Sequence, residues 1–197
     1  MEKKKMGVGR AAMRNQGYYN PELPRCLVTG HMGYIGSRLI QKLQDLGHAT
    51  HGIDLKNGHD INQDLNEGLD GKSFHPHYFN FKPDIIFHLA CIPRVVYSVE
   101  EPVYGLQKLI SEMECKLYSK LYGLDTVTLR YFNVYSPDQK AEGPYATAIS
   151  NWMEHIRQNK KPFITGDGEQ RRDMLNVEDA VSANIFAMNC SERFSGA

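Results

Sequence analysis

The chain has 197 residues, with 23 basic and 23 acidic side chains, a formal net charge of zero, and 41% hydrophobic and 10% aromatic residues. That length holds one domain with room for part of another, and the balanced charge gives no basic footprint for a polyanionic backbone, so nucleic acid is not the expected partner. No run approaches the roughly 18 uninterrupted apolar residues of a membrane-spanning helix, so the chain reads as soluble, with no membrane partner. Residues 1–24 carry Lys3, Lys4 and Lys5 with no apolar segment behind them, and are expected to form a flexible basic arm rather than a signal peptide. Four cysteines, Cys26, Cys91, Cys115 and Cys190, are scattered without a CxxC pair. This spacing argues against a metal site or a disulfide framework and favours a reducing cytoplasm.

Residues 25–29 form a short apolar run ending at Gly30, and Ile35, Leu39, Ile40, Leu43 and Leu46 then recur at helical spacing until Gly47. Residues 49–53 read as a second strand ending at Asp54, followed by a polar stretch through Gly71 and an irregular segment over 73–82. The aromatic cluster in that segment, Tyr78, Phe79 and Phe81, is expected to pack, and His31, His75, His77 and His88 form no ligand-like group and are expected to be structural. Residues 83–90 are another buried-strand run. The helix over 104–122 is the strongest in the chain: Leu106, Leu109, Ile110, Met113, Leu117 and Leu121 share one face and are expected to face the core. Tyr104, Lys108, Ser111 and Cys115 share the opposite face. A strand over 125–131, a helix over 147–158, a short strand over 162–165 and a helix over 177–188 follow. Strands alternating with helices predict an α/β fold with a parallel sheet covered on both sides.

Gly30, Gly33 and Gly36 form a GxxGxxG that follows a strand and opens a helix, with Tyr34 and Ile35 at the helix start. Such a turn lets backbone amides approach a pyrophosphate, which the positive end of the helix then faces. Asp54 ends the next strand 18 residues beyond Gly36, where a carboxylate accepts a ribose 2′-hydroxyl and repels a 2′-phosphate. NAD is therefore favoured over NADP. Tyr104 and Lys108 stand one helical turn apart. An ammonium over the same face as a phenol stabilises the phenolate and lowers a pKa that is otherwise about 10, so the pair suits proton removal from a sugar hydroxyl as hydride leaves the same carbon.

These blocks, with Gly52-Ile-Asp-Leu55, Gln63-Asp-Leu65, Ile86-Phe-His-Leu-Ala90, Thr128-Leu-Arg-Tyr-Phe-Asn-Val-Tyr135, Gly166-Asp-Gly-Glu-Gln-Arg-Arg-Asp173 and Asn176-Val-Glu-Asp179, span residues 25–188 in order. The chain resembles the extended short-chain dehydrogenase/reductases of the NAD-dependent nucleotide-sugar epimerase/dehydratase kind. The resemblance implies a Rossmann-like doubly wound sheet over 25–135 and a partial substrate-binding lobe over 136–197. It implies NAD as cofactor, a nucleotide sugar, most naturally a UDP-sugar, as substrate, and oxidation and re-reduction at C4. It places Asp64 and Leu65 against the adenine, Leu89, Ala90 and Lys108 beside the nicotinamide ribose, and Asn133 and Arg172 on the substrate's diphosphate. Tyr104 and Lys108 take the catalytic roles. The family's dimers use the Tyr-bearing helix with the helix before it, so a homodimer stays open.

The resemblance breaks at two places: after residues 188–197, where the family continues with further substrate-lobe elements and this chain is expected to be short of them, and inside the chain. Thirteen residues separate Ala90 from Tyr104, where the family has a helix, a further helix-strand unit and a catalytic Ser or Thr. A parallel crossover alone needs a dozen or more residues, so about one helix-strand unit is absent. Either Ser98 and Glu100 stand near the lost serine's place, or that hydroxyl is simply gone. The alternative reading is therefore a non-catalytic, vestigial NAD-binding module of the same family.

Overall fold

The computed structural model describes residues 20–54, 81–91, 103–139, 141, 146–164 and 166–197. Most of the basic arm, Asp64 and Leu65, Ser98 and Glu100, and His75, His77, Tyr78 and Phe79 lie outside them. Strand β1 (Cys26–Thr29) is buried along its whole length and forms the centre of a parallel three-stranded sheet, with β2 (Thr50–Ile53) on one side and β3 (Ile85–His88) on the other. Cys26 stands opposite Thr50 and Ile85, and Thr29 opposite Ile53 and His88, so the C-terminal ends of all three strands are level. At the opposite end, Arg25 fastens β1 to β3, its guanidinium reaching both oxygens of Asp84 at 3.0 Å.

Helix α1 (Tyr34–Asp45) joins β1 to β2 and lays Leu39 and Leu43, both fully buried, on Cys26, Val28 and Phe87. It ends at Gly47, whose φ of +92° closes the turn and lets His48 N–H reach the Leu43 carbonyl. On the other face of the sheet Leu27 is buried but Ile86 is 60% exposed. Helix α2 (Val103–Tyr122) is present, but the face expected in the core is in water: Leu106, Leu109, Ile110, Met113, Leu117 and Leu121 are each at least half exposed. Part of it lines an open groove of about 520 Å³.

The strand expected over 125–131 does not form. A strand exists only by pairing with a neighbour, and this segment's bonds run elsewhere: Thr128 N–H donates to the Ala197 carbonyl, Gly196 N–H to that of Thr126, and Thr126 Oγ1 to the Cys115 carbonyl. Likewise residues 161–164 are not a strand; the Phe163 carbonyl accepts the Trp152 indole N–H at 3.2 Å, and Thr165 lies outside the described residues.

A second, two-stranded parallel pair joins β4 (Val134–Tyr135) to β5 (Leu175–Asn176). Between them, α3 (Ala148–Arg157) begins in a reciprocal cap between Thr147 and Ser150. The last helix, α4 (Val177–Asn189), starts from an Asn176 side chain that accepts the Glu178 amide, with Glu178 and Asp179 facing its positive end. Although α4 falls in the segment expected to form a substrate lobe, Val181, Ile185 and Met188 pack with α1 and the sheet. No described helix is long and apolar enough to cross a membrane, and no group of three or more metal-ligating side chains occurs among the described residues.

Candidate functional site

The three parallel strands end together, and ligands of open α/β sheets bind beyond that end. The glycine turn between β1 and α1 lies there. Gly30 has φ +72°, and a Cβ on it would stand 2.8 Å from the Ala90 amide nitrogen, so only glycine lets the turn meet the end of β3. A Cβ on Gly36 would stand 2.2 Å from the Gly30 carbonyl oxygen, so α1 can start this close to the strand only without a side chain. Gly33, the N-cap of α1, supplies no side-chain hydrogen bond to the first turn, which carries Tyr34, Ile35 and Gly36. A helix leaves its first amides without intrahelical acceptors, and a diphosphate satisfies them.

On the β2 side, the Asp54 carboxylate accepts the Met32 amide at 3.0 Å and is held against the glycine turn. On the β3 side, Thr29 organises the strand end. Its carbonyl accepts Leu89 N–H, its hydroxyl accepts Ala90 N–H at 3.2 Å and also bonds His88 Nδ1 at 3.0 Å. Burial and the nearby Lys108 ammonium both push the His88 imidazole toward its neutral form.

Helix α2 reaches this strand end through Lys108, whose ammonium donates to the Ala90 carbonyl at 3.2 Å. Tyr104, one turn earlier, is partly exposed. Against the depression expected from Lys108, the Tyr104 phenol is pushed up in this arrangement, first by burial and then by Cys91. Cys91 is the member of this cluster that sequence reasoning missed. Its thiol is also pushed up by burial, with Lys108 opposing. Its position next to Ala90 in the chain was the available signal; spacing among the cysteines carried none.

The two residues expected at the substrate's diphosphate come to one place. Asn133, held at φ +45°, donates its side-chain amide to the Asp173 carbonyl at 2.8 Å, beside Arg172. One of its amide hydrogens is thus committed to joining the two loops. Arg172 is exposed and bonds the Arg171 carbonyl; among the described residues it forms no ion pair, and Glu178 instead faces Arg38 at 3.3 Å. Arg38 was also missed: from α1 it grips Asp138, Ser136 and Glu178, tying the cofactor-side helix to the loop after β4 and to α4.

Comparison with known proteins agrees with this geometry. The NAD dependent epimerase/dehydratase family model matches residues 26–104 and 100–195, two stretches that overlap over residues 100–104. A UDP-glucose 4-epimerase of Mycolicibacterium smegmatis is 27% identical over 228 aligned positions, covering 83% of this chain and 72% of its own length. Eighty-three per cent of 197 residues is about 164, so about 64 aligned positions face a gap in this chain. A UDP-N-acetyl-alpha-D-glucosaminuronate decarboxylase of Bacillus cytotoxicus is 28% identical, over 84% of this chain and 71% of its own. The crystal structure of the Thermotoga maritima UDP-glucose 4-epimerase with UDP-glucose superposes with a TM-score of 0.69 at 24% identity, over 84% of this chain and 73% of that one. The order of the motifs, the parallel sheet with its glycine turn and the two-part family match have one common explanation: the chain belongs to the NAD-dependent epimerase/dehydratase family.

Proposed function

We propose that this chain binds NAD at the ends of β1, β2 and β3, and that it acts on a UDP-sugar by oxidising and re-reducing C4. The observation that carries this reading is the 3.2 Å bond from Lys108 to the Ala90 carbonyl, which sets the Tyr104 helix against the end of β3. The residues present fit the cofactor. The glycine turn is a cradle that a single Cβ would fill, the first turn of α1 has no side-chain cap, and the Asp54 carboxylate is fixed beside both. Gly30, Gly33, Tyr34, Ile35 and Gly36 would hold the diphosphate, Asp54 the adenosine ribose, and Leu89, Ala90 and Lys108 the nicotinamide ribose, with Asp64 and Leu65 against the adenine. NAD, when bound, supplies the hydride acceptor and donor.

Oxidation of a C4 hydroxyl to a ketone removes one proton and one hydride. Tyr104 takes the proton as phenolate and returns it to the oxygen on re-reduction. For that, Lys108 must act on the phenol as well as on Ala90, since burial alone leaves Tyr104 protonated. Arg172 offers a planar guanidinium to the substrate's diphosphate. Homodimerisation through the exposed face of α2 belongs to the same proposal.

A second reading has its own support. About 64 aligned positions have no counterpart in this chain and the family match comes in two parts, as loss of an internal unit would leave them, and the Tyr104 phenol is pushed up by burial and by Cys91. A module that retains NAD binding without turnover fits these facts. Purified chain assayed for bound NAD and for conversion of UDP-glucose to UDP-galactose separates the two. Turnover abolished by Tyr104→Phe supports the enzyme, NAD binding without turnover supports the vestigial module, and absence of NAD binding defeats both.

A further inference from the structure

We propose that Arg38 is a positioning residue that sets Asn133 and Arg172, the residues assigned to the substrate's diphosphate, against the cofactor helix; this rests on the UDP-sugar reading above. The Arg38 guanidinium folds back along α1 over its first turn, where Nη1 donates to the Tyr34 carbonyl at 3.1 Å. Two carboxylates flank it there, so it is committed to protein partners and not to a phosphate. Nε faces Glu178 at 3.3 Å, and Nη2 donates to Asp138 and, at 2.9 Å, to Ser136 Oγ. Every nitrogen of the group is thereby engaged, by three separate stretches of chain: the first turn of α1, the loop after β4 and the start of α4.

These partners gather at one end of the β4–β5 pair. Ser136 and Asp138 follow β4, and Glu178 follows β5. At the other end, Asn133 precedes β4, and Arg172 and Asp173 precede β5; the Asn133 side-chain amide donates to the Asp173 carbonyl, and Leu175 N–H to that of Asn133. Because the two strands are parallel, with Val134 opposite Leu175 and Tyr135 opposite Asn176, both run from the substrate end toward Arg38, over about 10 Å of chain. Two strands of two residues have little stability of their own, so their placement depends on what grips them, and Arg38 grips the exits of both. The cofactor side does not depend on this grip. Its glycine turn and Asp54 belong to β1, α1 and β2, and Leu39 and Leu43 fix α1 on the sheet. A planar guanidinium can bond in three directions at once, whereas an ammonium is a point charge without that fork.

Calorimetric titration of the full chain with NAD, and of the NAD-saturated chain with UDP-glucose, tests this. Arg38→Lys keeps the charge and removes the fork. Asp138→Asn, at an exposed position, loosens the same grip from the loop side. Each is expected to weaken UDP-glucose binding by about threefold to tenfold while NAD affinity stays within about twofold. That split marks a positioning role, since general damage to the fold lowers both affinities. UDP-glucose affinity unchanged in both variants overturns the proposal, as does an equal loss for NAD and UDP-glucose. Absence of UDP-glucose binding by the unsubstituted, NAD-loaded chain overturns the UDP-sugar reading and this proposal together.

Discussion

Two helices of similar apolar content meet opposite fates in this molecule. In α1, Leu39 and Leu43 are fully buried against β1 and Phe87, and α4 closes over them. In α2, Leu109 is 50% exposed and Met113 61%, although its apolar residues also recur at helical spacing. An apolar stripe stabilises only to the extent that something removes it from water. The α1 side has its neighbours within the chain. The α2 side, among the described residues, is held by polar links: Lys108 to Ala90, Glu112 to Arg130 at 2.7 Å, and Thr126 to Cys115.

This contrast is open to direct attack. Leu43→Ala is expected to cost about 2–5 kcal/mol of unfolding free energy, since it empties a closed site; urea denaturation measures it. Gly36→Ala should weaken NAD binding tenfold or more, because the new methyl meets the Gly30 carbonyl at 2.2 Å and forces α1 away from the turn; titration of the purified variant with NAD reads the loss. Met113→Ala is expected to cost less than about 1 kcal/mol, most of that side chain being already in water. A larger cost that grows with protein concentration would mean that a second copy covers α2 in solution.

The smallest effect concerns the link between β1 and β3. Arg25 holds the Asp84 carboxyl down at about 2, against an ordinary 3.8. Because the folded-state value is the lower one, the pair stabilises the fold above about pH 4, and that contribution fades as pH falls from about 4 through about 2. Urea midpoints measured across that window should fall less steeply in Asp84→Asn than in the unsubstituted chain.

Much of the α1 half was legible in the sequence because its determinants are local. The apolar run at 26–29, the glycines, the helical spacing of Leu39 and Leu43 and the acid at 54 each report on a few neighbouring residues, and the strands formed there as expected. The segment at 125–131 has the composition of a strand, but pairing is a property of two chain segments, and its hydrogen bonds went to residues 196–197. The apolar face of α2 could be drawn from periodicity, yet periodicity identifies a face without identifying a cover. At the site, the sequence spacing of Asp54 and the glycines was visible, but the contact of Asp54 with the Met32 amide and the reach of Lys108 to the Ala90 carbonyl were not. Nor were Thr29, Arg38 and Cys91, because their roles arise from contacts between elements far apart in sequence.

Strand β3 carries a consequence for handling the protein. Among the described residues it pairs only with β1, which leaves its outer edge without a strand, and Ile86 beside that edge is 60% exposed. An open edge flanked by apolar side chains is a template for intermolecular β-pairing. Concentrated solutions are therefore expected to lose protein to aggregation seeded at β3, and a charged residue in place of Ile86 would act as a gatekeeper against it.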